Sequence, residues 1–447
     1  MNLIKTLRIL SFFISIFIFI YIFYKSEIFW NGEYKNYYKP YYYFSFVLIL
    51  LSITSFFLND KILRYLYVFF VSCLIALYLF EAYITFFTVY RGSTKIDSKK
   101  IKLYKKETGK NYDTRQKFQI YDDLKRKNPR IQIAFGPIEH KEQKIYSLSG
   151  ISNVDSILCN ENGYYATYKS DRYGFRNDDQ IWDKKSIEYL ILGDSFAIGE
   201  CVNSDSTIQS LLKRNYNKNS ISLGFGGNGP LTEYATLKEY LQPNMKKIIW
   251  LYFEGNDQSN LVRELKSNIL KQYLINKNFK QDLKLKISQI DNLLKHNIEL
   301  EREKAQFRYE RSFFYRLRKF IKLFNTRDTF ALLYQTKNIQ NVETVPEFKA
   351  ILRSAINLSN ENNSKLYFVY LPNTNVIKNS CKNKNKHYLE IKKIVQDDLK
   401  IKFISMCEEL FRKEKDNKKF FPFRMGGHFN NLGYEEVTRV IYMNTRK

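Results

Sequence analysis

Histidine is scarce in this chain: His140, His296, His387 and His428 are the only four in 447 residues. Cysteine is nearly as rare, at five, and Cys73, Cys159, Cys201, Cys381 and Cys407 form no CxxC pair and no Cys/His run at metal-ligand spacing. The usual zinc and iron–sulfur frameworks are therefore excluded, and no pattern asks for a metal or an organic cofactor. Acidic residues are short relative to basic ones, 45 against 72, giving a formal charge of +27. Such an excess can mark a nucleic-acid, lipid or glycan partner. Here Lys, Asn, Ile and Tyr are abundant throughout, as AT-rich coding produces, and no nucleic-acid-binding motif accompanies the charge. The sequence is read without a nucleic-acid partner.

The mean hydropathy of −0.40 hides a split. Ile9–Tyr24, Tyr41–Leu58 and Tyr65–Tyr90 are apolar runs, the third interrupted only by Glu81. About 20 apolar residues cross a bilayer, so residues 1–92 are expected to hold three transmembrane helices. The first run has no small-residue cleavage site and two further runs follow it, which argues against a removable leader. Lys5, Arg8, Lys61 and Arg64 would share one side, expected to be cytoplasmic. Arg91, Lys95, Lys99, Lys100, Lys35 and Lys39 oppose that orientation locally. The expected location is the inner or plasma membrane, with the large C-terminal region extracytoplasmic. There Cys159, Cys201, Cys381 and Cys407 are free to form up to two disulfides, one candidate being Cys159–Cys201. Glu81 is either a functional intramembrane acid or a partner for a neighbouring helix.

Residues 93–184 read as a polar connector with short strands such as 131–135, ending in Ser170-Asp-Arg-Tyr-Gly-Phe-Arg-Asn177. From residue 185 to 447 the pattern becomes strand–helix alternation. Expected strands are Ile187–Leu192, Ser220–Phe225, Lys247–Phe253, Lys365–Leu371 and Ile401–Ile404, with helices at Thr207–Arg214 and Leu231–Leu241. This predicts an α/β fold, a flavodoxin-like three-layer parallel sheet preceded by the transmembrane helical region. Ligands of such sheets bind at the carboxyl ends of the strands. A charged helical insertion spans about 258–347. Leu261, Leu265, Ile269 and Tyr273 recur at helical spacing, as do Leu283, Ile287, Ile290, Leu294 and Ile298, so it reads as a lid, a partner-binding arm or a solvated hairpin.

Chemistry-bearing residues sit at the strand ends. Gly193-Asp194-Ser195-Phe196 follows the first strand, with a small residue before a candidate nucleophile. Leu223-Gly-Phe-Gly-Gly-Asn-Gly-Pro230 follows the second and exposes backbone N–H groups. Gly255-Asn256-Asp257 follows the third. Gly426-Gly-His-Phe-Asn-Asn-Leu-Gly433 precedes the last helix, and His428 alone of the histidines lies in a Gly-rich loop beyond the last strand. A serine needs a base to take its proton.

In order and placement these four blocks resemble the SGNH/GDSL hydrolase superfamily, over roughly 187–257 and 350–447. Ser170–Asn177 is similar to a lead-in of its membrane-linked bacterial members. The resemblance implies Ser195 as nucleophile and His428 as general base. It implies an oxyanion hole from the Ser195 N–H, the Gly227 N–H and the Asn256 side chain. The family's Asp two or three residues before the His is missing, since Gly426 and Met425 occupy those positions. Three arrangements stay open: a backbone carbonyl orients His428, a distant carboxylate such as Asp257 or Glu254 does so, or the site is weak or inactive.

The implied function is a membrane-anchored serine esterase or O-acetyltransferase acting on O-acyl groups of a cell-surface glycan. A transferase with so few spans would need a partner membrane acyltransferase or a donor already outside. The alternatives are a lipid or thioester hydrolase, and a non-catalytic glycan-binding or assembly protein with a degenerate site.

Overall fold

The computed structural model describes residues 3–32, 35–85, 90–310, 312–329, 344–378, 380–381 and 386–446. Two compact units result: Met1–Arg91 with Arg316–Phe330, and Gly92–Tyr315 with Ala331–Lys447.

The first unit holds helices Leu3–Phe23, Lys35–Thr54 and Asp60–Tyr83, where the three apolar runs predict them. The helical stretches Ile4–Phe29 and Asp60–Tyr83 are long and apolar enough to cross a membrane. Lys35–Thr54 is not among them, because its first turns are Lys, Asn, Tyr and Pro rather than aliphatic. The end of the third run, 86–89, lies outside the described residues. Ser15 and Ser52 meet at 3.2 Å between the first two helices, and Arg8 donates to Asp60 at 2.8 Å and to the Leu58 carbonyl at 2.7 Å. Glu81 is buried. Its carboxylate accepts the Asn325 and Thr326 N–H groups at 3.1 and 2.7 Å, fixing part of the insertion to the third helix.

The second unit is built on five parallel strands, β1 (Ile187–Leu192), β2 (Ser220–Ser222), β3 (Met245–Phe253), β4 (Lys365–Leu371) and β5 (Lys402–Ser405). Their spatial order is β5-β4-β3-β1-β2, the flavodoxin-like order. Strands covered on both faces read as near-continuous apolar runs, as the central stretches of β1, β3 and β4 do. Leu190, Leu192, Ile248, Trp250 and Phe368 point into one core. Tyr189, Ile191, Ile249, Leu251 and Val369 point into the other. Helices Pro230–Tyr240 and Glu347–Glu361 cover the first face; Ile208–Tyr216 and Asn431–Thr445 cover the second.

The connector packs into the same unit: Ile120, Tyr121, Ile133, Ile157 and Phe175 join the first core. The insertion departs from the lid or hairpin expectation. Helix Ile287–Glu310 turns Ile290, Leu294 and Ile298 into that core with Leu283. Asp291 on this helix accepts from the Ser152 N–H at 2.9 Å and hydroxyl at 2.7 Å. An apolar stripe wants cover, and the connector supplies it. The part of the insertion at 330–343 lies outside the described residues.

Candidate active site

The chain reverses side at β1, with β2 on one flank and β3 on the other. That leaves a crevice at the carboxyl ends of these strands, and three of the four blocks open onto it. Gly193 ends β1. A Cβ there would lie 2.8 Å from the Leu251 carbonyl oxygen of β3, so a side chain would force the strands apart. Helix Ser195–Ile198 follows, capped by the Asp194 carboxylate, which accepts from the Phe196 N–H at 3.0 Å. Being first in this helix, the Ser195 N–H has no intrahelical acceptor.

The neighbouring turns are laced to each other. The Phe225 N–H donates to the Gly193 carbonyl at 3.3 Å. Arg263 and Asn260, on the helix after Asn256, donate to the carbonyls of Gly227 (2.8 Å) and Asn228 (2.9 Å). Gly227 and Asn256 are thus held at the edge that carries Ser195, and the Asn256 side chain is among the groups that lower the Asp194 carboxyl against the upward push of burial.

His428 meets Ser195. Its Nε2 is 2.9 Å from the Ser195 hydroxyl. The ring packs on Phe196, 5.1 Å between centroids. Its other face of chemistry corrects the expectation. The carboxylate at His428 is neither Asp257 nor Glu254 but Glu161, from the connector. Glu161 Oε1 is 3.1 Å from His428 Nδ1, and Oε2 accepts the His428 backbone N–H at 2.8 Å. The dyad alternative falls with the same bond. Asp257 instead accepts from the Phe253 N–H at 2.9 Å, and Glu254 accepts from the Asn373 N–H at 2.8 Å. Gly427 makes the contact possible, since a Cβ there would sit 2.5 Å from the Glu161 carboxylate.

Glu161 has no helix or strand to position it. Two clamps do so. A disulfide joins Cys159 to Cys201, and a second joins Cys381 to Cys407. The first ties the chain two residues before Glu161 to the loop that follows the Ser195 helix. The second clamp is the lead-in motif. Buried Arg176 donates to the Gly199 and Val202 carbonyls, both at 2.7 Å. Asn177 exchanges bonds with Ser222 of β2 at 2.9 and 2.8 Å, and Asp171 accepts from Trp182 Nε1 at 2.8 Å and from the Tyr173 and Phe175 N–H groups at 2.9 Å each. Burial raises the Asp171 carboxyl to about 6 and lowers the Arg176 guanidinium to about 10.

Electrostatics follow the geometry. Burial pushes the His428 imidazole down, but its bond to Glu161 and the carboxylates of Glu161, Glu200 and Asp194 outweigh this, so it titrates above its ordinary value. Burial pushes Glu161 up, yet His428 and Lys100 hold it below the usual carboxylate range. An acceptor-only carboxylate at Nδ1 fixes the tautomer with the proton on that nitrogen, leaving Nε2 as the acceptor that faces the Ser195 hydroxyl. Glu200, with Oε2 at 3.7 Å from Nε2, was not anticipated, and its only sequence signal is its place beside Cys201. The other histidines stand elsewhere: His140 lies 3.4 Å from Asn297 Nδ2 and His387 pairs with the Tyr252 hydroxyl at 2.8 Å. Glu161, Cys201 and His428 have the proximity of a metal site. The Cys201 sulfur is spent in the disulfide, however, so the donor set does not fit one.

No family model and no curated protein matches the sequence. Among solved structures, one similar chain is assigned to the G-D-S-L lipolytic family, from Desulfitobacterium hafniense DCB-2, at 12% identity and a TM-score of 0.31, covering 57% of this chain and 99% of that one. A Bacillus subtilis protein aligns at 9% identity and 0.33, over 61% of this chain and 58% of its own. An acetyl xylan esterase aligns at 12% identity and 0.30, over 58% of this chain and 100% of its own. The strand order and the four blocks carry the fold assignment; these likenesses do not extend to the site.

Proposed function

From a chain with an SGNH/GDSL hydrolase-like fold, we propose a membrane-anchored serine esterase or O-acetyltransferase that acts on O-acyl groups of a cell-envelope glycan through Ser195, His428 and Glu161. The observation that carries this reading is the continuous chain of contacts, 2.9 Å from Ser195 to His428 and 3.1 Å from His428 to Glu161. In the proposed reaction Ser195 Oγ attacks the acyl carbonyl carbon and its proton passes to His428 Nε2. Negative charge develops on the carbonyl oxygen, where the N–H groups of Ser195 and Gly227 and the Asn256 side chain are the candidate donors. As the C–O bond to the sugar breaks, His428 returns the proton to the leaving oxygen, and Glu161 balances the imidazolium in between. Water or a sugar hydroxyl then attacks the acyl-serine with His428 again as base, completing hydrolysis or transfer.

Three features support the finer terms. The apolar helices favour a substrate held at a membrane. Two disulfides suit an oxidising compartment, hence an extracytoplasmic second unit. A polar cleft of about 840 Å³ beside the His428 loop is lined by Tyr104, Tyr164 and Phe423 with Asn162, Asn203 and Asn430, a mixture of rings and amides that suits sugars. In a transferase, a membrane acyltransferase partner would supply the acyl group.

The test is deacetylation of O-acetylated glycan by the purified full-length protein in detergent, with p-nitrophenyl acetate as the simple ester. Turnover of both, lost in Ser195→Ala, is expected. Glycan binding without turnover of either ester would point instead to a binding protein.

A further inference from the structure

The first unit carries a concave site that ester chemistry at Ser195 does not use. Helix Leu3–Phe23 runs on through a turn at Tyr24–Phe29, helix Lys35–Thr54 returns beside it, and the segment Arg316–Phe330 belongs to the same unit. Together they line a cavity of about 500 Å³. Four cations face it: Lys25, Arg318, Lys322 and Arg327. Its walls are aromatic, with Trp30, Tyr37 and Tyr41 among them.

Among the described residues none of the four pairs with a carboxylate; the nearby Glu27 is taken by Lys35 at 3.0 Å. Two of them rest on aromatic groups. The Lys25 ammonium is 3.5 Å from the Phe29 ring centroid. The Arg327 guanidinium is 5.4 Å from the Tyr41 centroid and donates to the Tyr37 hydroxyl at 2.9 Å. Gathering like charges around one cavity is unfavourable unless an anion neutralises them. The arm that brings three of them is anchored. Glu81 accepts from the Asn325 and Thr326 N–H groups, Asn325 Nδ2 donates to Thr85 at 2.8 Å, and Tyr78 donates to the Ile321 carbonyl at 2.9 Å.

The level of the site narrows the ligand. Arg8, in the second turn of the first helix, is tied to Asp60 at the start of the third, and Lys25 stands seventeen residues on. At 1.5 Å per residue Arg8 and Lys25 are roughly 25 Å apart, close to a bilayer's hydrocarbon thickness. Cations mixed with Trp and Tyr at that level sit where lipid phosphates lie. Phe29 and Tyr21, about half exposed, offer an apolar flank for an acyl chain.

We propose that this cavity is a binding site for the phosphate headgroup of an anionic membrane amphiphile. It stands independently of the esterase reading, because binding and not turnover reports on it. The probe is fluorescent phosphatidic acid, titrated in mixed micelles into the full-length protein, with phosphatidylcholine and inorganic phosphate as competitors. Saturable binding of one probe per chain is expected, weakened tenfold or more by Arg318→Gln with Lys322→Gln. Neither side chain makes a hydrogen bond or ion pair among the described residues, so their loss leaves the unit's packing intact. Lys61→Gln with Arg64→Gln removes the same charge near the Asp60 end and should leave binding unchanged. Equal binding by the Arg318/Lys322 variant, or equal competition by phosphatidylcholine, would overturn the proposal. Displacement by millimolar inorganic phosphate would reassign the site to a soluble phosphate compound and overturn the lipid source.

Discussion

The two halves of the candidate site are held by different means. Ser195, Gly227 and Asn256 stand in the turns that follow β1, β2 and β3, on a buried parallel sheet. Glu161 stands in an irregular stretch of the connector and is held by a disulfide and by buried side chains that clasp the loop after the Ser195 helix. The difference teaches where each property of the site resides. The sheet half places the proposed nucleophile and the proposed oxyanion donors. The connector half holds a carboxylate against His428, the proposed base. Damage to the first should abolish chemistry, whereas damage to the second should leave a folded but poorly oriented site.

The largest expected effect falls on the sheet half. Ser195→Ala should lower ester turnover by about 10⁶-fold, as loss of a serine nucleophile does elsewhere. On the connector half, Glu161→Gln keeps the shape but not the charge, and a loss of about 10⁴-fold is expected, comparable to replacing a triad Asp by Asn. That variant also sharpens the comparison through pH. His428 acts as base only when neutral, and its raised value sets the acid limb of kcat/KM above the ordinary imidazole range. Removing the Glu161 charge leaves only the Glu200 and Asp194 carboxylates against burial, so the acid limb of the residual activity should move to lower pH. A pH–rate series on both proteins reads this.

Smaller effects follow. Asn256→Ala should cost about 10²- to 10³-fold in kcat with little change in KM, the usual loss for one oxyanion donor. Cys159→Ser opens a loop closed across a sequence separation of 42. The chain-entropy account assigns such a loop about 4 kcal/mol. Denaturant unfolding of the second unit should show a loss of that order, and kcat should fall further than KM rises, because Glu161 loses its tether.

What the sequence reveals follows the same division. The strands and the Ser195–His428 contact were legible because each sits in a local pattern: a short apolar run, then glycines, then a polar group. Glu161 was not, since nothing within several residues marks it, and the empty position at Gly426 drew attention to Asp257 and Glu254 nearby in the blocks. The one usable signal was non-local. Pairing Cys159 with Cys201 places residue 161 close to the loop after Ser195. The insertion failed for a related reason. The spacing of Ile290, Leu294 and Ile298 announces an apolar face but does not say what covers it. Glu81 likewise reads as a buried acid without naming its partner, which lies 244 residues away at Asn325.

The central claim is that Glu161, supplied by the connector, completes the Ser195–His428 site. Labelling of Ser195 by a fluorophosphonate probe tests it most directly. The account predicts rapid labelling of the native protein, none of Ser195→Ala, at least a hundredfold slower labelling of Glu161→Gln, and near-native labelling of Glu254→Gln. Labelling of Glu161→Gln at the native rate would contradict it.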